Sequence, residues 1–243
     1  MKIVSGHQPV YLPWIGLMHK LSLCDAFVFM DTVQYLDKDR NNPNKIRTPH
    51  GWTWLAVPVD RKRSRGLMLN EVVIRGHDNP ESKEFWQAEH WKSICLNYKK
   101  TPYFERYEKD LRRLYEDTVW KYVVDLCWAQ FRRFAEWFGL ADREVVRMSE
   151  MEFEGHKDEL VLDHCRKLNG DAVVFGKHGR DYVRLDLFSS HGIPVHFQEY
   201  NHPEYKQRYQ GFQPYMSALD LLMNHGPQAR EIMQTGNLKR SDL

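Results

Sequence analysis

Three polar residues near the amino terminus, His7, Gln8 and Asp31, form the first candidate site for chemistry. His7 and Gln8 follow a β-prone run over residues 2–6, and Asp31 follows an apolar run over residues 26–30. If both runs are parallel neighbours in one sheet, the three side chains meet at the carboxyl edge, where open α/β sheets bind ligands. A histidine there suits acid–base catalysis, because its ordinary pKa lies near neutrality. We therefore predict catalytic roles for all three, the alternative being a hydrogen-bonded core histidine and an aspartate that caps a turn.

A second candidate site is the glycine-containing segment over residues 176–182, which lies between a predicted strand and a predicted helix. Its two glycines allow backbone N–H groups to face a ligand, and a helix N-terminus favours anions. Lys177 and Arg180 add positive charge. The segment therefore predicts a phosphate site, suited to the pyrophosphate of a nucleotide-sugar or to the phosphopantetheine of an acyl carrier. It matches neither a P-loop nor a GxGxxG fingerprint, and a plain polar turn is the alternative.

The third candidate site combines Gln207 with a polar stripe on the last predicted helix. Ser217, Asp220 and Asn224 are spaced at i, i+3 and i+7, so they share one face of that helix. We predict that this face contacts the substrate, although polar stripes of this kind are also typical of solvated helix faces.

The composition argues against several functional classes. With 35 Lys and Arg against 33 Asp and Glu, a net charge of +2 gives no general attraction to nucleic acid or membrane. The four cysteines lie far apart, and neither CxxC nor HExxH spacing occurs, so we predict no metal site and no bound cofactor. No apolar run reaches the ~18 residues of a membrane span and no signal peptide is evident, which predicts a cytoplasmic protein.

The elements that must position these residues follow from the apolar patterning. Strands at 2–6 and 26–30, joined by a helix at 15–23, form a β-loop-α-β unit whose strands are normally parallel. Further strands are predicted at 54–59, 71–74, 144–148, 172–175 and 194–200, and further helices at 79–98, from 101, and at 119–138, 156–168, 182–191 and 215–224. We therefore predict a single α/β domain over 1–243, with a mixed, partly parallel sheet flanked by helices and a helical insertion at about 79–140.

The sequence also resembles a known family. The run HQPVYLPWIG over residues 7–16, with Lys20 following, is similar to the opening signature of the WbqC-like family. The resemblance extends over nearly the whole chain, through DTVQY at 31–35, NKI at 44–46, WLAVP at 54–58 and SALDLLMNHG at 217–226. The chain departs from the family where it reads NPNK at 42–45, since the usual arginine of an NRNxIK-like segment is replaced there.

The resemblance implies a role in bacterial surface polysaccharide such as O-antigen, and a glycine or amino-acid transferase acting on amino sugars. The family carries no established catalytic set, so the site residues are our own prediction. Besides the catalytic group, the predicted substrate-binding residues are Tyr11, Trp14, Lys20, Gln34, Asn44, Lys45, Lys177, Arg180, Gln207, Ser217, Asp220 and Asn224.

The resulting hypothesis is an acyl or aminoacyl transferase that modifies an amino sugar. His7 would deprotonate the attacking amine, Asp31 would position it, and the Lys177–Arg180 loop would hold the phosphate of a nucleotide-sugar. An acyl-carrier protein or another aminoacyl donor would supply the transferred group. One alternative is a nucleotide-binding ligase or nucleotidyltransferase, and another is a non-catalytic protein that binds a carrier protein or charged tRNA.

Overall fold

The computed structural model describes residues 1–81 and 85–243. The strands are β1 (Ile3–His7), β2 (Ala26–Phe29), β3 (Pro43–Thr48), β4 (Gly51–Ala56), β5 (Glu144–Arg147), β6 (Ala172–Phe175) and β7 (Val195–Phe197). The α-helices are α1 (Ile15–Ser22), α2 (Arg61–Ser64), α3 (Trp86–Tyr98), α4 (Phe104–Glu116), α5 (Val123–Trp137), α6 (Asp158–Lys167), α7 (Leu185–Ser189), α8 (Ala218–His225) and α9 (Ala229–Gln234).

Five strands form a parallel sheet in the order β5-β2-β1-β6-β7. Counted within the sheet, this is the order 3-2-1-4-5 of a doubly wound fold. β1 and β2 are parallel neighbours, with Val4 opposite Ala26 and His7 opposite Phe29, which confirms the β-loop-α-β prediction. The order reverses between β1 and β6, and the carboxyl edge at this switch point is the expected place for a ligand.

The sheet is covered on both faces because its central strands are apolar: every residue of β2 and β6 is apolar and buried, as are Ile3 and Val4 of β1. Phe27 and Phe29 of β2 belong to one hydrophobic cluster, whereas Ala26 and Val28 belong to the other. This division follows the two-residue period of a strand. The first cluster also contains the apolar residues of α1, α5 and α8, and the ring of Phe131 from α5 stacks on Phe27 at 5.3 Å. The α/β class is thus confirmed, as is the helical segment in the middle, α3 to α5.

Outside the main sheet, β3 and β4 form an antiparallel hairpin. The strand predicted at 54–59 is observed as β4, which begins and ends three residues earlier. β3 was not predicted. The predicted strand at 71–74 is wrong, because a short 3-10 turn ends at Glu71 and only isolated bridges follow, Val59 to Ile74 and Val73 to Tyr122. The apolar run in this segment has only three residues, Val72 to Ile74, and without a neighbouring strand in register it does not extend into a ladder.

The helix boundaries differ from the predicted ones at several ends. The helix predicted from 79 is observed from Trp86, and Ser82, placed at its start, lies outside the described residues. The Thr101 hydroxyl donates to the carbonyl of Tyr98, so it closes α3 and does not cap α4. The helix predicted at 182–191 is the shorter α7, and α9 was not predicted. The assignment of residues 1–243 to one domain stays a prediction.

Within residues 1–81 and 85–243, no helix combines the length and the apolar character needed to cross a bilayer.

Candidate functional site

A cavity of about 1120 Å³ opens at the carboxyl edge of the parallel sheet, and we call it the large cavity. Residues that follow four different strands line it: Gln8 after β1, Met30 after β2, Met148 after β5 and Gly176 after β6. The cavity therefore includes the switch point between β1 and β6, where doubly wound sheets bind ligands.

The lining of the large cavity is apolar on its walls and positive in charge. Three lysines line it, Lys20, Lys38 and Lys157, against one carboxylate, Asp39. The apolar walls include Met30, Val33, Met68, Met148, Phe153, Val161 and Phe175. A cavity with apolar walls and a few convergent polar groups is typical of a small-molecule site, and this balance of charge favours an anionic ligand.

Lys20 is the most buried cation of the large cavity, with only 7% of its surface exposed. It projects from α1, and its Nζ donates to the carbonyl of Gly6 on β1 at 2.8 Å. Across the described ranges, no carboxylate oxygen lies within 4.0 Å of that Nζ. Burial lowers the pKa of Lys20 to about 8. An ammonium carries three N–H donors. The described residues accept one of them, so two remain available to a ligand.

A smaller cavity of about 340 Å³, the small cavity, adjoins the large one. His7 lines the small cavity, its neighbour Gln8 lines the large one, and Asp39 lines both. The remaining lining of the small cavity includes Trp14, Arg40, Asn44, Lys45, Trp54, His202 and Tyr215. Two binding volumes therefore meet at the end of β1.

His7 presents a free ring nitrogen at this junction. Its Nδ1 lies 2.8 Å from the carbonyl oxygen of Gln8. Because a carbonyl only accepts hydrogen bonds, Nδ1 carries the proton and Nε2 of the neutral ring keeps its lone pair. Burial lowers the pKa of His7 to about 4, and the positive charge of Lys20 acts in the same direction. At neutral pH His7 is therefore a proton acceptor.

The loop between β1 and α1, which carries His7 and Gln8 to Trp14, is fixed by distant side chains. Leu12 has a φ of 45°, a left-handed conformation that is rare for a non-glycine residue. Its N–H donates to Oε1 of Gln130 at 2.7 Å, and its carbonyl accepts from Nδ2 of Asn44. The positions of His7 and Gln8 thus depend on contacts with α5 and β3.

Asp31 occupies a different environment from His7 and Gln8. Its side chain is fully buried and accepts from Nε of Arg147 at 2.9 Å, from the Ser149 N–H at 2.8 Å and from the Ser149 hydroxyl at 2.7 Å. Arg147 also contacts Asp125 at 3.2 Å. Asp31 lines neither cavity as described. The sheet edge therefore brings His7 and Gln8 together, whereas the carboxylate of Asp31 faces β5.

Five of the other predicted residues line the two cavities. Trp14, Asn44 and Lys45 line the small cavity, and Lys20 and Gln34 line the large one. Lys45 lies over aromatic rings of the hairpin, with Nζ 4.2 Å from the Trp52 ring centre and 5.3 Å from that of Trp54. Tyr11, by contrast, is fully buried, and its hydroxyl contacts Nδ1 of His90 and the hydroxyl of Tyr115, each at 2.7 Å.

Lys177 and Arg180 lie beside the large cavity but not in its described lining. Both are exposed, and Arg180 pairs with Glu199 and lies 4.4 Å from the ring centre of Phe197. Gly176 and Tyr182, at the two ends of the same segment, do line the cavity. The two ends of the glycine segment thus line the large cavity, whereas its two cations lie on the protein surface.

The third predicted group is a buried network around Arg47, a residue that the sequence analysis missed. Nε of Arg47 donates to Oε1 of Gln207 at 3.1 Å, and Nε2 of Gln207 donates to Asp220 at 2.8 Å. Asp220 also accepts from the Tyr205 hydroxyl at 3.0 Å, and burial raises its pKa to about 6. Nδ2 of Asn224 donates to the Asp220 carbonyl at 2.7 Å. The network packs beneath the hairpin, outside both cavities as described.

Ser217 is the fourth member of that predicted group, and it is fully buried. Its hydroxyl has no hydrogen-bond partner among the described residues. Its N–H donates to the carbonyl of Lys45, and the next residue, Ala218, donates to the carbonyl of Pro13. Ser217 therefore joins the start of α8 to the two segments that line the small cavity.

Comparison with known proteins gives the chain a family. The sequence profile described as the WbqC-like protein family matches residues 8–232. The chain belongs to this family. A relative from Mycobacterium tuberculosis, described as uncharacterized protein Rv1507c, is 28% identical over 235 residues, which are 96% of this chain and 98% of the relative. The matched residues include Gln8, most of the lining of both cavities and the Arg47 network, whereas His7 lies one residue before the match begins.

Several residues of the site gave no signal in the sequence. Lys38 and Asp39 line the cavities from a short 3-10 turn and Lys157 from the segment before α6, where charged residues are ordinarily solvated. Arg47 stands in a polar stretch, PNKIRT, whose burial depends on residues 160 positions away. Lys20 is the exception, because the sequence analysis named it among the predicted substrate-binding residues. Among the described residues, no group of three or more His, Cys, Asp or Glu side chains is arranged to hold a metal ion.

Proposed function

We propose that the protein is a transferase that moves an acyl or aminoacyl group onto the amino group of a nucleotide-linked sugar, in the biosynthesis of a bacterial surface polysaccharide. The observation that supports this best is a neutral histidine that lines one cavity directly beside Gln8, which lines the other. A transfer reaction needs two substrates side by side, with a proton acceptor between them.

The charge and size of the cavities suggest how the substrates divide. The large cavity, with its lysines and a volume of about 1120 Å³, has room for the nucleotide and phosphates of a nucleotide-sugar. In this arrangement the sugar amine points towards His7. The small cavity, with Trp14, Lys45 and Trp54, receives the reactive end of the acyl or aminoacyl donor.

The reaction is balanced without an oxidant or a reductant. The sugar nitrogen attacks the carbonyl carbon of the donor, forming a C–N bond, and the C–S or C–O bond to the carrier then breaks. Nε2 of His7 takes the proton that the nitrogen loses and returns it to the departing sulfur or oxygen. The products are an amide and the free carrier thiol or hydroxyl. Gln8 contacts the substrate beside His7, and Asp31 is a positioning residue that holds Arg147 and Ser149 on either side of Met148.

The test is a mass-spectrometric search for the amide. The protein is incubated with nucleotide-linked amino sugars and with three donor types: acyl-coenzyme A, acyl-carrier protein and aminoacyl-tRNA. We expect an amide with one donor type, and its loss in His7→Gln. His191→Gln, which changes an exposed histidine outside both cavities, is the matched control and should retain the activity.

Other results would contradict the proposal in distinguishable ways. Release of AMP or pyrophosphate from ATP, with no amide in its absence, would indicate a ligase or nucleotidyltransferase. Tight binding of a carrier protein or charged tRNA without any product would indicate an escort protein. Amide formation that is unchanged in His7→Gln would leave a transferase but remove His7 from its chemistry.

A further inference from the structure

We propose that Lys20 is an anion-binding residue, and that its ammonium at the floor of the large cavity holds a phosphate or pyrophosphate group of the substrate. The proposal deepens the proposed function and rests on it in one respect, that the large cavity receives a phosphate-bearing molecule. It moves the centre of phosphate recognition from the exposed cations of the 176–182 segment to a residue of α1.

The first argument is the imbalance between the burial of Lys20 and its partners. A buried ammonium is unfavourable unless a negative charge or several acceptors replace its hydration. Lys20 is 7% exposed, yet the structure gives it one neutral acceptor, the Gly6 carbonyl. Two other partly or fully buried cations are satisfied: Arg147 contacts Asp31 and Asp125, and Arg47 lies within the network already described. An anionic group bound in the cavity would supply the negative charge that the described residues do not place beside Lys20.

The second argument is the position of the Lys20 ammonium. It lies against β1, and the same cavity is lined by Val174 and Phe175 of β6 and by Gly176 beyond it. This is the switch point of the sheet, where phosphate groups of ligands are held in doubly wound folds. The Lys20 ammonium therefore lies in an accessible cavity at the switch point, the position where the strand order predicts ligand binding.

The third argument is the distribution of the other charges around the large cavity. Lys38 and Lys157 are exposed and line its rim, whereas Lys20 lies at its floor. Rim cations raise the local concentration of an anionic ligand, and a desolvated cation at the floor then binds it more strongly than an exposed one does. Asp39, the one carboxylate of the described lining, also borders the small cavity and leaves the Lys20 floor positive.

Anion binding at Lys20 also has a consequence for His7. The positive charge of Lys20 is one of the two causes that lower the pKa of His7. A phosphate on Lys20 neutralises that charge, so the pKa of His7 rises towards its ordinary value and the ring becomes a stronger base. The base is therefore activated when the phosphate-bearing substrate is in place.

The direct experiment compares thermal stabilisation by inorganic pyrophosphate, UDP and coenzyme A in the wild-type protein and in Lys20→Met. Methionine keeps the length and apolar stem of lysine and removes the buried charge, so we expect the variant to fold. Pyrophosphate should raise the melting temperature of the wild type, and its affinity should fall roughly ten- to a hundredfold in Lys20→Met. UDP and coenzyme A then distinguish a nucleotide-sugar from a phosphopantetheine carrier as the source of the phosphate.

Two matched controls define the result. Lys99→Met removes one exposed charge outside both cavities and should keep the stabilisation by pyrophosphate. The double variant Lys177→Ala, Arg180→Ala tests the glycine segment as the competing phosphate site. Undiminished stabilisation in Lys20→Met, or its loss in the double variant alone, would overturn the proposal, as would a wild type that none of the three probes stabilises.

A measurement on the wild type keeps the proposal testable if Lys20→Met does not fold. At a pH about one unit above the Lys20 pKa, an anion that binds the ammonium form draws a proton onto Lys20. Titration calorimetry of UDP in buffers of different ionisation enthalpy should therefore show proton uptake, and binding without uptake would refute the role of Lys20. Since neither measurement depends on turnover, the anion site and the transferase proposal can fail separately.

Discussion

Lys20 and Arg47 are both buried cations, and they differ in how far the protein satisfies them. All five of the side-chain hydrogen bonds that the structure gives Arg47 end on oxygens of the chain: those of Gln207, Thr48, Gly51, Gln210 and Gly211. Lys20 donates to the Gly6 carbonyl and otherwise faces a cavity. A buried charge is ordinarily stabilised by an opposite charge or by several acceptors, and among the described residues Lys20 has a single neutral acceptor.

The comparison separates two uses of a buried charge. Arg47 connects the β3–β4 hairpin to the segment around Gln207 and thereby to Asp220 on α8. Its hydrogen bonds therefore stabilise the folded protein. On the proposal above, the buried charge of Lys20 lowers the stability of the protein without ligand, and anion binding offsets that cost. Removal of each cation should therefore change stability in opposite directions.

The largest effect is expected for Arg47→Met. It leaves the side chain of Gln207 and four carbonyl oxygens without their donor, and Asp220 loses a nearby positive charge. Breaking a buried charged network costs about 3–5 kcal/mol, which urea denaturation would measure directly. Arg112→Met, on the exposed face of α4, is the matched control and should change the free energy of unfolding by less than about 1 kcal/mol. A similar small change for Arg47→Met would remove the contrast with Lys20.

His7→Gln is expected to affect turnover without affecting the fold. Loss of the proton acceptor should reduce the rate of amide formation by about 10²–10⁴-fold, because that is the usual contribution of general acid–base catalysis. In the wild type kcat/KM, which reports the free protein, should fall as the pH drops towards the His7 pKa of about 4, where the ring becomes protonated and can no longer accept a proton. A large drop in melting temperature with little loss of rate would instead make His7 a structural core residue.

Lys20→Met is expected to stabilise the empty protein at neutral pH, by on the order of 1 kcal/mol. The pKa of Lys20 is about 8 in the folded protein, against the 10.5 of a solvated lysine side chain, which stands for the unfolded chain. Between these values the unfolded chain binds more protons, so the wild type gains stability as the pH rises from about 8 to 10.5. The advantage of the variant should therefore be complete below pH 8 and disappear by about 10.5. A variant that is less stable than the wild type at neutral pH would contradict this sign.

The smallest effect on stability is expected for the double variant Lys177→Ala, Arg180→Ala. The pair between Arg180 and Glu199 is exposed, with 54% and 62% of the side chains accessible, and such pairs contribute about 0–1 kcal/mol. Thermal melts should show little change. A marked loss of stability would mean that the cations of this segment have a packing role comparable with that of Arg47.

The parallel β1–β2 unit was predictable because its determinants are local. A short loop, one helix and two apolar runs within about thirty residues allow few arrangements, and the right-handed crossover leaves the parallel one. The placement of His7 and Gln8 at the sheet edge followed directly. The same argument placed Asp31 at that edge but could not give the direction of its side chain, because Arg147 lies 116 positions further along the chain.

The hairpin and its buried arginine could not be predicted either, because their partners are also distant in the sequence. The sequence of β3 is polar at most positions, and Asn44 and Arg47 are buried only because Leu12, Gln207 and Gln210 accept their hydrogen bonds. Periodicity cannot reveal a polar strand whose partners are distant. The predicted strand at 71–74 failed in the opposite way, since a short apolar run found no strand to pair with.

The left-handed Leu12 makes the loop between β1 and α1 depend on other parts of the molecule. A leucine at a φ of 45° is disfavoured by the chain itself and is held by the amides of Gln130 and Asn44. Since both amides belong to distant segments, we expect the loop to take this shape only after α5 and β3 have packed against it. The HQPVYLPW segment is consequently not portable: grafted onto another parallel sheet, it would keep its sequence and lose its geometry.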